Sequence, residues 1–181
     1  MQLYLIRHPQ PDIAAGICYG QADIAVNEAH CQLVWQQLQS VLPAGIAVIS
    51  SPLQRCARLA RMLHPAPVFD ARLMEMHFGS WEMQAWDDIA RAEIDAWAND
   101  VAAYAPGGGE NVIAMALRVI NFLRQLVMSE HNEIAIVAHA GSIRLILAYQ
   151  RGMQASDLAR EVVHAIKKIE FGECVQLKLD L

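Results

Sequence analysis

The chain is poor in charge. Only 18% of its 181 residues are charged, against 55% hydrophobic, and no long run of Lys or Arg occurs in it. So apolar a composition excludes a disordered or charged-tail protein. The net charge of −5, with no basic stretch, argues against a general binder of nucleic acid or anionic membrane surfaces. Any anionic substrate must therefore be met by a local cluster of cations. No apolar run approaches the length of a membrane span, and the short run before Arg7-His8 is no signal peptide. Cysteines are few. Cys18, Cys31, Cys56 and Cys174 have neither zinc-knuckle nor redox-pair spacing, which leaves reduced thiols packed in a core. The expectation is a soluble, cytoplasmic protein folded as one domain over residues 1–181.

What is present is an alternation of two patterns. Leu3 to Ile6, Ala47 to Ile49 and Ile134 to Val137 are short runs, apolar on both faces, as strands of a buried parallel sheet read. Helical spacing lies between them. Cys31, Val34, Trp35, Leu38, Val41 and Leu42 share one face, with Asn27 as a cap. Trp86, Ile89, Ala90, Ile94 and Trp97 form a second face, and Val112, Ala116, Val119, Ile120, Leu123, Leu126 and Val127 a third. Ser51-Pro52 reads as a cap followed by proline at the first helical position, and Gly141-Ser142 opens another helix. Cys174 to Leu179 alternates like an edge strand. Pro65 to Pro67 and Ala105 to Gly109 read as loops, the glycines 107–109 as a flexible turn before a helix from Asn111. The predicted fold class is α/β: three layers, a mostly parallel sheet with helices on both faces.

Ligands of such sheets collect at the carboxyl ends of the strands. Three strand ends here carry Arg7-His8, Ser50-Ser51 and His139. Cleaving a phosphate monoester needs an in-line nucleophile, cations around the equatorial oxygens and a proton for the departing alkoxide. His8 offers a neutral ring nitrogen as nucleophile. Arg7 and Arg55 offer planar forks suited to phosphate. The helix after His139 points free N–H groups at whatever that histidine touches. Glu75, among apolar neighbours that would keep it protonated, is the candidate proton donor, with His77 as the next. Singly, each of these residues has a bland reading as a structural or surface group.

Jointly they resemble the histidine phosphatase superfamily, also called phosphoglycerate mutase-like. Leu5-Ile6-Arg7-His8-Pro9 is similar to the family's strand and Arg-His-Gly turn. Ser50 to Ala60, Leu73 to Glu82, Tyr104 to Asn111 and Val137 to Arg144 resemble its later motifs in order, so that the likeness spans residues 3 to 144. The resemblance implies a phosphohistidine at His8. It also implies phosphoryl contacts from Arg7, Arg55 and His139, acid–base duty for Glu75 and a substrate-side place for Glu110. It implies no metal and no other cofactor. Pro9, Gln10, Ala14 and Leu59 depart from the family pattern, which touches the surroundings of the site rather than its central residues. The implied partner is a small phosphorylated metabolite, with no nucleic acid and no membrane; a homo-oligomer is compatible.

The stretch Gly16 to Asp23, with its Cys18-Tyr19-Gly20-x-x-Asp23 run, resembles the α-ribazole phosphatase branch. Tyr19 and Gly20 are therefore expected on the substrate side, Tyr19 packing on a flat base. Three readings compete. One is a phosphatase, either for α-ribazole 5′-phosphate or broadly for sugar phosphates and nucleotides. Another is a phosphoglycerate-type mutase, disfavoured by the short, acidic chain. The last is an inactive binding protein, disfavoured by retention of Arg7, His8, Arg55, Glu75 and His139.

Overall fold

The computed structural model describes residues 1–164 and 168–179. The apolar runs become strands: β1 (Gln2–Arg7), β2 (Ala47–Ser50), β4 (Glu133–Ala138) and β5 (Cys174–Lys178). A two-residue strand β3 (Val68–Phe69) completes a sheet of order β3-β2-β4-β1-β5. β1 and β2 both pair parallel with β4, β3 pairs parallel with β2, and only β5 runs antiparallel, at the edge beside β1. Strand β3 is too short to leave a sequence pattern.

Side chains alternate across the sheet, as the pleat requires. Leu3, Leu5, Ile134 and Ile136 face one core, with α4 (Val112–Leu126), α5 (Ala140–Ala148) and α6 (Ala155–His164). Tyr4, Ile6, Val48, Ala135 and Val137 face the other, with α1 (Glu28–Leu38) and α2 (Gln54–Leu63). The chain leaves β1 toward one face and the adjacent β4 toward the other. That divergence opens a crevice where His8 and His139 end their strands.

Three helix boundaries differ from the sequence reading. α1 stops at Leu38, because Pro43 and the residue before it resist helical continuation; Val41 is left exposed. α2 starts at Gln54 rather than at Ser51-Pro52. Its cap comes from a distant loop: Asp23 accepts from the Gln54 backbone N–H at 2.7 Å and from its side-chain amide at 3.1 Å. The face from Trp86 to Trp97 is not one helix. Trp86–Asp88 is a 3-10 turn, Ile89 and Ala90 are extended, and only α3 (Arg91–Asn99) is α-helical. The extended step buries Ile89 against Cys18 and Trp81 in a separate aromatic cap with Phe78, Trp86, Trp97 and Tyr104.

The glycine run is not a flexible turn. Pro106–Gly108 is a 3-10 turn packed backbone to backbone on the segment 77–81. A Cβ on Gly107 would lie 2.4 Å from the Phe78 carbonyl oxygen, and one on Gly109 would lie 2.2 Å from that of His77. α4 follows at Val112, capped by Asn111, whose side chain accepts from the Ala114 N–H at 2.8 Å. The four cysteines are free thiols, three buried and Cys174 half-buried. Among the described residues no helix is long and apolar enough to cross a membrane.

Candidate active site

A pocket of about 460 Å³ opens at the carboxyl ends of β1 and β4. One end is polar, walled by Arg7, His8, Tyr19, Gly20, Glu75, Gly141 and Arg144. The other is apolar, walled by Ile17, Met76, Phe78, Trp86, Trp97, Val101, Val112, Met115, Leu145, Val162 and Val163.

His8 ends β1 and is almost entirely buried. Its Nδ1 lies 2.7 Å from the carbonyl oxygen of Pro9. A carbonyl only accepts, so Nδ1 carries the proton and Nε2 keeps its lone pair. Burial, reinforced by the positive charge of Arg55 and then of Arg7, holds the His8 pKa well below the ordinary 6.5, although the Pro9 bond opposes this. The imidazole is therefore neutral, the form a nucleophile needs.

His139 caps α5, and its ring centroid lies 5.0 Å from that of His8. Its Nε2 is 2.8 Å from the Ser51 hydroxyl and 3.4 Å from the Cys56 sulfur. Burial first, then His8 and Arg55, also keep this ring neutral. Arg55 is wholly buried near the start of α2, donating to the carbonyls of Ala22 at 2.8 Å and Gly20 at 2.6 Å. Arg7 donates to the Ile169 carbonyl at 2.5 Å, and its guanidinium lies 3.8 Å over the Phe171 ring. Among the described residues, the Nε groups of Arg7 and Arg55 are buried donors without a partner. Each such group costs about 1–3 kcal/mol.

Glu75 sits in the wall with both carboxylate oxygens held: Oε1 accepts from its neighbour Met76 N–H at 3.0 Å and Oε2 from Gly141 N–H at 3.1 Å. Its surroundings are thus more polar than the apolar setting expected from sequence. A Cβ on Gly141 would crowd Oε1, so a side chain there would displace the Glu75 carboxylate from its present place. His77 is half exposed, 3.9 Å from Glu82, and outside the pocket wall. Exposed Ala14 is outside it as well.

Of the residues expected from sequence, Arg7, His8, Tyr19, Gly20 and Glu75 share the wall, with Arg55 and His139 enclosed next to His8. Two are placed differently from expectation. Tyr19 hydrogen-bonds Arg7, and its ring lies 5.2 Å from the Arg55 guanidinium, so its contacts are with cations. Trp86 and Trp97, both in the wall, stack on each other at 6.0 Å and 9°. Glu110 lies outside the pocket wall, its carboxylate forked onto Arg118. Phe171, Asp23 and Arg118 escaped sequence reasoning. Asp23 carries a weak signal, the end of the Cys-Tyr-Gly-x-x-Asp run; the other two carry none.

Comparison with known proteins shows the family. The profile of the histidine phosphatase superfamily (branch 1) matches residues 3–174. The adenosylcobalamin/alpha-ribazole phosphatase of Escherichia coli (strain K12) is 31% identical over 167 residues, 86% of this chain and 81% of that protein. The glucosyl-3-phosphoglycerate phosphatase of Mycobacterium tuberculosis (strain CDC 1551 / Oshkosh) is 28% identical, covering 81% of this chain and 74% of its own. The crystal structure of the alpha-ribazole phosphatase from Shigella flexneri superposes with a TM-score of 0.83 at 26% identity, over 99% of this chain and 91% of that one. The match over residues 3–174 and the likeness to these enzymes show that the chain belongs to branch 1 of the histidine phosphatase superfamily and is a phosphatase.

Proposed function

We propose that this phosphatase hydrolyses α-ribazole 5′-phosphate, a step of cobalamin biosynthesis, through a phosphohistidine on His8, in the cytoplasm and without a metal or other cofactor. The observation that carries the chemistry is the contact of His8 Nδ1 with the Pro9 carbonyl: it assigns the proton to Nδ1 and leaves the lone pair on Nε2 of a residue that lines the pocket. Nε2 attacks phosphorus, the bond to the ester oxygen breaks, and protonated Glu75 gives its proton to the departing alkoxide. The Glu75 carboxylate then takes a proton from water. That water attacks the phosphohistidine, releasing inorganic phosphate and restoring neutral His8. Arg7, Arg55 and His139 stabilise the charge on the equatorial oxygens during both transfers.

The apolar end of the pocket supports the choice of ester. A dimethylbenzimidazole is flat and apolar, and the stacked indoles of Trp86 and Trp97 offer it a matching wall. Such aromatic contacts are worth about 0.5–1.5 kcal/mol beyond area burial. The two relatives named for alpha-ribazole point the same way. The second reading is a broad phosphatase of sugar phosphates or nucleotides. It is favoured by the relative named for glucosyl-3-phosphoglycerate and by Arg144, a further cation in the wall.

The test compares kcat/KM for α-ribazole 5′-phosphate, AMP, phosphoglycerate and simple sugar phosphates. The proposal expects at least about a tenfold preference for the ribazole ester, near the upper end of what one aromatic contact supplies. A smaller preference leaves a general phosphatase. Tyr19→Ala, which disturbs Arg7 and Arg55, is expected to slow all four esters alike.

A further inference from the structure

Arg118 stands in the middle of α4, outside every motif that marks the family in this sequence. Its guanidinium makes five hydrogen bonds, with donors on all three nitrogens. Nη1 donates to the carbonyls of Arg72 and Met74, both at 2.7 Å. Nη2 donates to the carbonyl of Glu75 at 3.0 Å and to Glu110 Oε2 at 2.8 Å, while Nε donates to Glu110 Oε1 at 2.7 Å. One planar fork thus holds three carbonyls of the segment entering Glu75 and is itself locked by a bidentate carboxylate. The two side chains are only 18% and 17% exposed, so solvent screens the pair less than at an open surface.

The segment is gripped from other directions as well. Gln21 donates to the same Glu75 carbonyl at 2.9 Å, and the Glu110 N–H donates to the His77 carbonyl at 2.7 Å. The Glu75 backbone is therefore pinned on one side by Arg118, while its carboxylate meets Gly141 N–H on the other. A proton donor must sit within hydrogen-bond reach of the ester oxygen. A misplacement of about 1 Å costs roughly 100-fold.

We propose that Arg118, locked by Glu110, is a positioning residue that sets the Glu75 carboxyl for proton transfer to the leaving oxygen. The proposal rests on the reading of Glu75 as proton donor. It gives Glu110 a different task from the substrate contact expected of it. Lysine cannot replace arginine here, because one ammonium cannot span three carbonyls and a carboxylate in a plane.

The experiment measures kcat and KM for a simple alkyl phosphate and for nitrophenyl phosphate, whose leaving group needs little protonation. The enzymes are the wild type, Arg118→Lys, Glu110→Gln, Glu75→Gln and the double variant Glu75→Gln/Arg118→Lys. Arg118→Lys is expected to lower kcat for the alkyl ester about 10- to 100-fold more than for the nitrophenyl ester, with KM little moved. In the Glu75→Gln background the same substitution should add less than about threefold, since the group it positions is already disabled. Equal slowing of both esters by Arg118→Lys, or full multiplication in the double variant, overturns the positioning role while leaving Glu75 as the acid. Equal slowing of both esters by Glu75→Gln itself removes the proton donor, and the proposal falls with it. If Arg118→Lys does not fold, Glu110→Gln carries the same ratio test.

Discussion

The two ends of the pocket are built by different means. The phosphate end stands on the sheet: His8 and His139 terminate the paired strands β1 and β4, and Arg55 is buried beside the end of β2. Its groups are polar, buried and held by backbone carbonyls. The leaving-group end stands mainly on turns and helices, on the 3-10 turn at Trp86, on α3 and on α6, and its wall is apolar and aromatic. Strand ends hold reacting atoms in register because the ladder hydrogen bonds fix them. Loop-borne aromatic walls exchange with less consequence for the rest of the fold. On the proposed function, the reaction and the choice of ester reside in structurally separate parts.

That division makes the phosphate end the place where damage is general. His8→Ala should lower turnover of every ester by roughly 10⁴-fold or more, and acid-labile phosphate trapped on protein in a rapid quench should vanish with it. Near-normal turnover in this variant would end the distinction between the two regions.

Arg55→Ala should lower kcat on the order of 10²–10³-fold for all esters, as loss of a transition-state donor does; a change confined to KM would mean simple docking. The same variant sharpens the electrostatic side. His8 is kept neutral first by burial and then by Arg55. Removing the guanidinium deletes a positive charge and admits water, and both raise the His8 pKa toward 6.5. The acid limb of kcat/KM, which reports protonation of the nucleophile, should therefore move to higher pH in the variant. An unmoved limb would remove Arg55 from the surroundings that tune His8.

The smallest effect belongs to the other end. Trp86→Ala should cost about tenfold or less in kcat/KM for α-ribazole 5′-phosphate, with little change for a small alkyl phosphate. Equal losses on both would show that the wall supports the phosphate end instead of reading the ester.

Much of the reaction end was legible in the chain. Short strands apolar on both faces, each ending in a polar residue, place Arg7, His8, Ser50 and His139 at one edge without tertiary information. The residues that hold these groups were not legible. Asp23 caps α2 from 31 positions away, Arg118 reaches back to Glu75 across 43, and Ile169 holds Arg7 across 162. The Trp86–Trp97 pair was read as one helical face because the spacing fits 3.6 residues per turn. The chain instead breaks at Ile89 and Ala90 to seat Ile89 in the aromatic cap.

The sequence by itself determined the α/β layering and which histidines and arginines stand at the strand ends, because periodicity and residue chemistry are local properties. Tertiary structure alone decided three further matters: that Tyr19 meets the two arginines, that Glu110 pairs with Arg118 outside the pocket wall, and that the Glu75 carboxylate lies against Gly141. Each depends on which groups become neighbours when helices and loops close over the sheet. A carboxylate or an aromatic ring takes its partner from that packing and carries no mark of it in its own position along the chain.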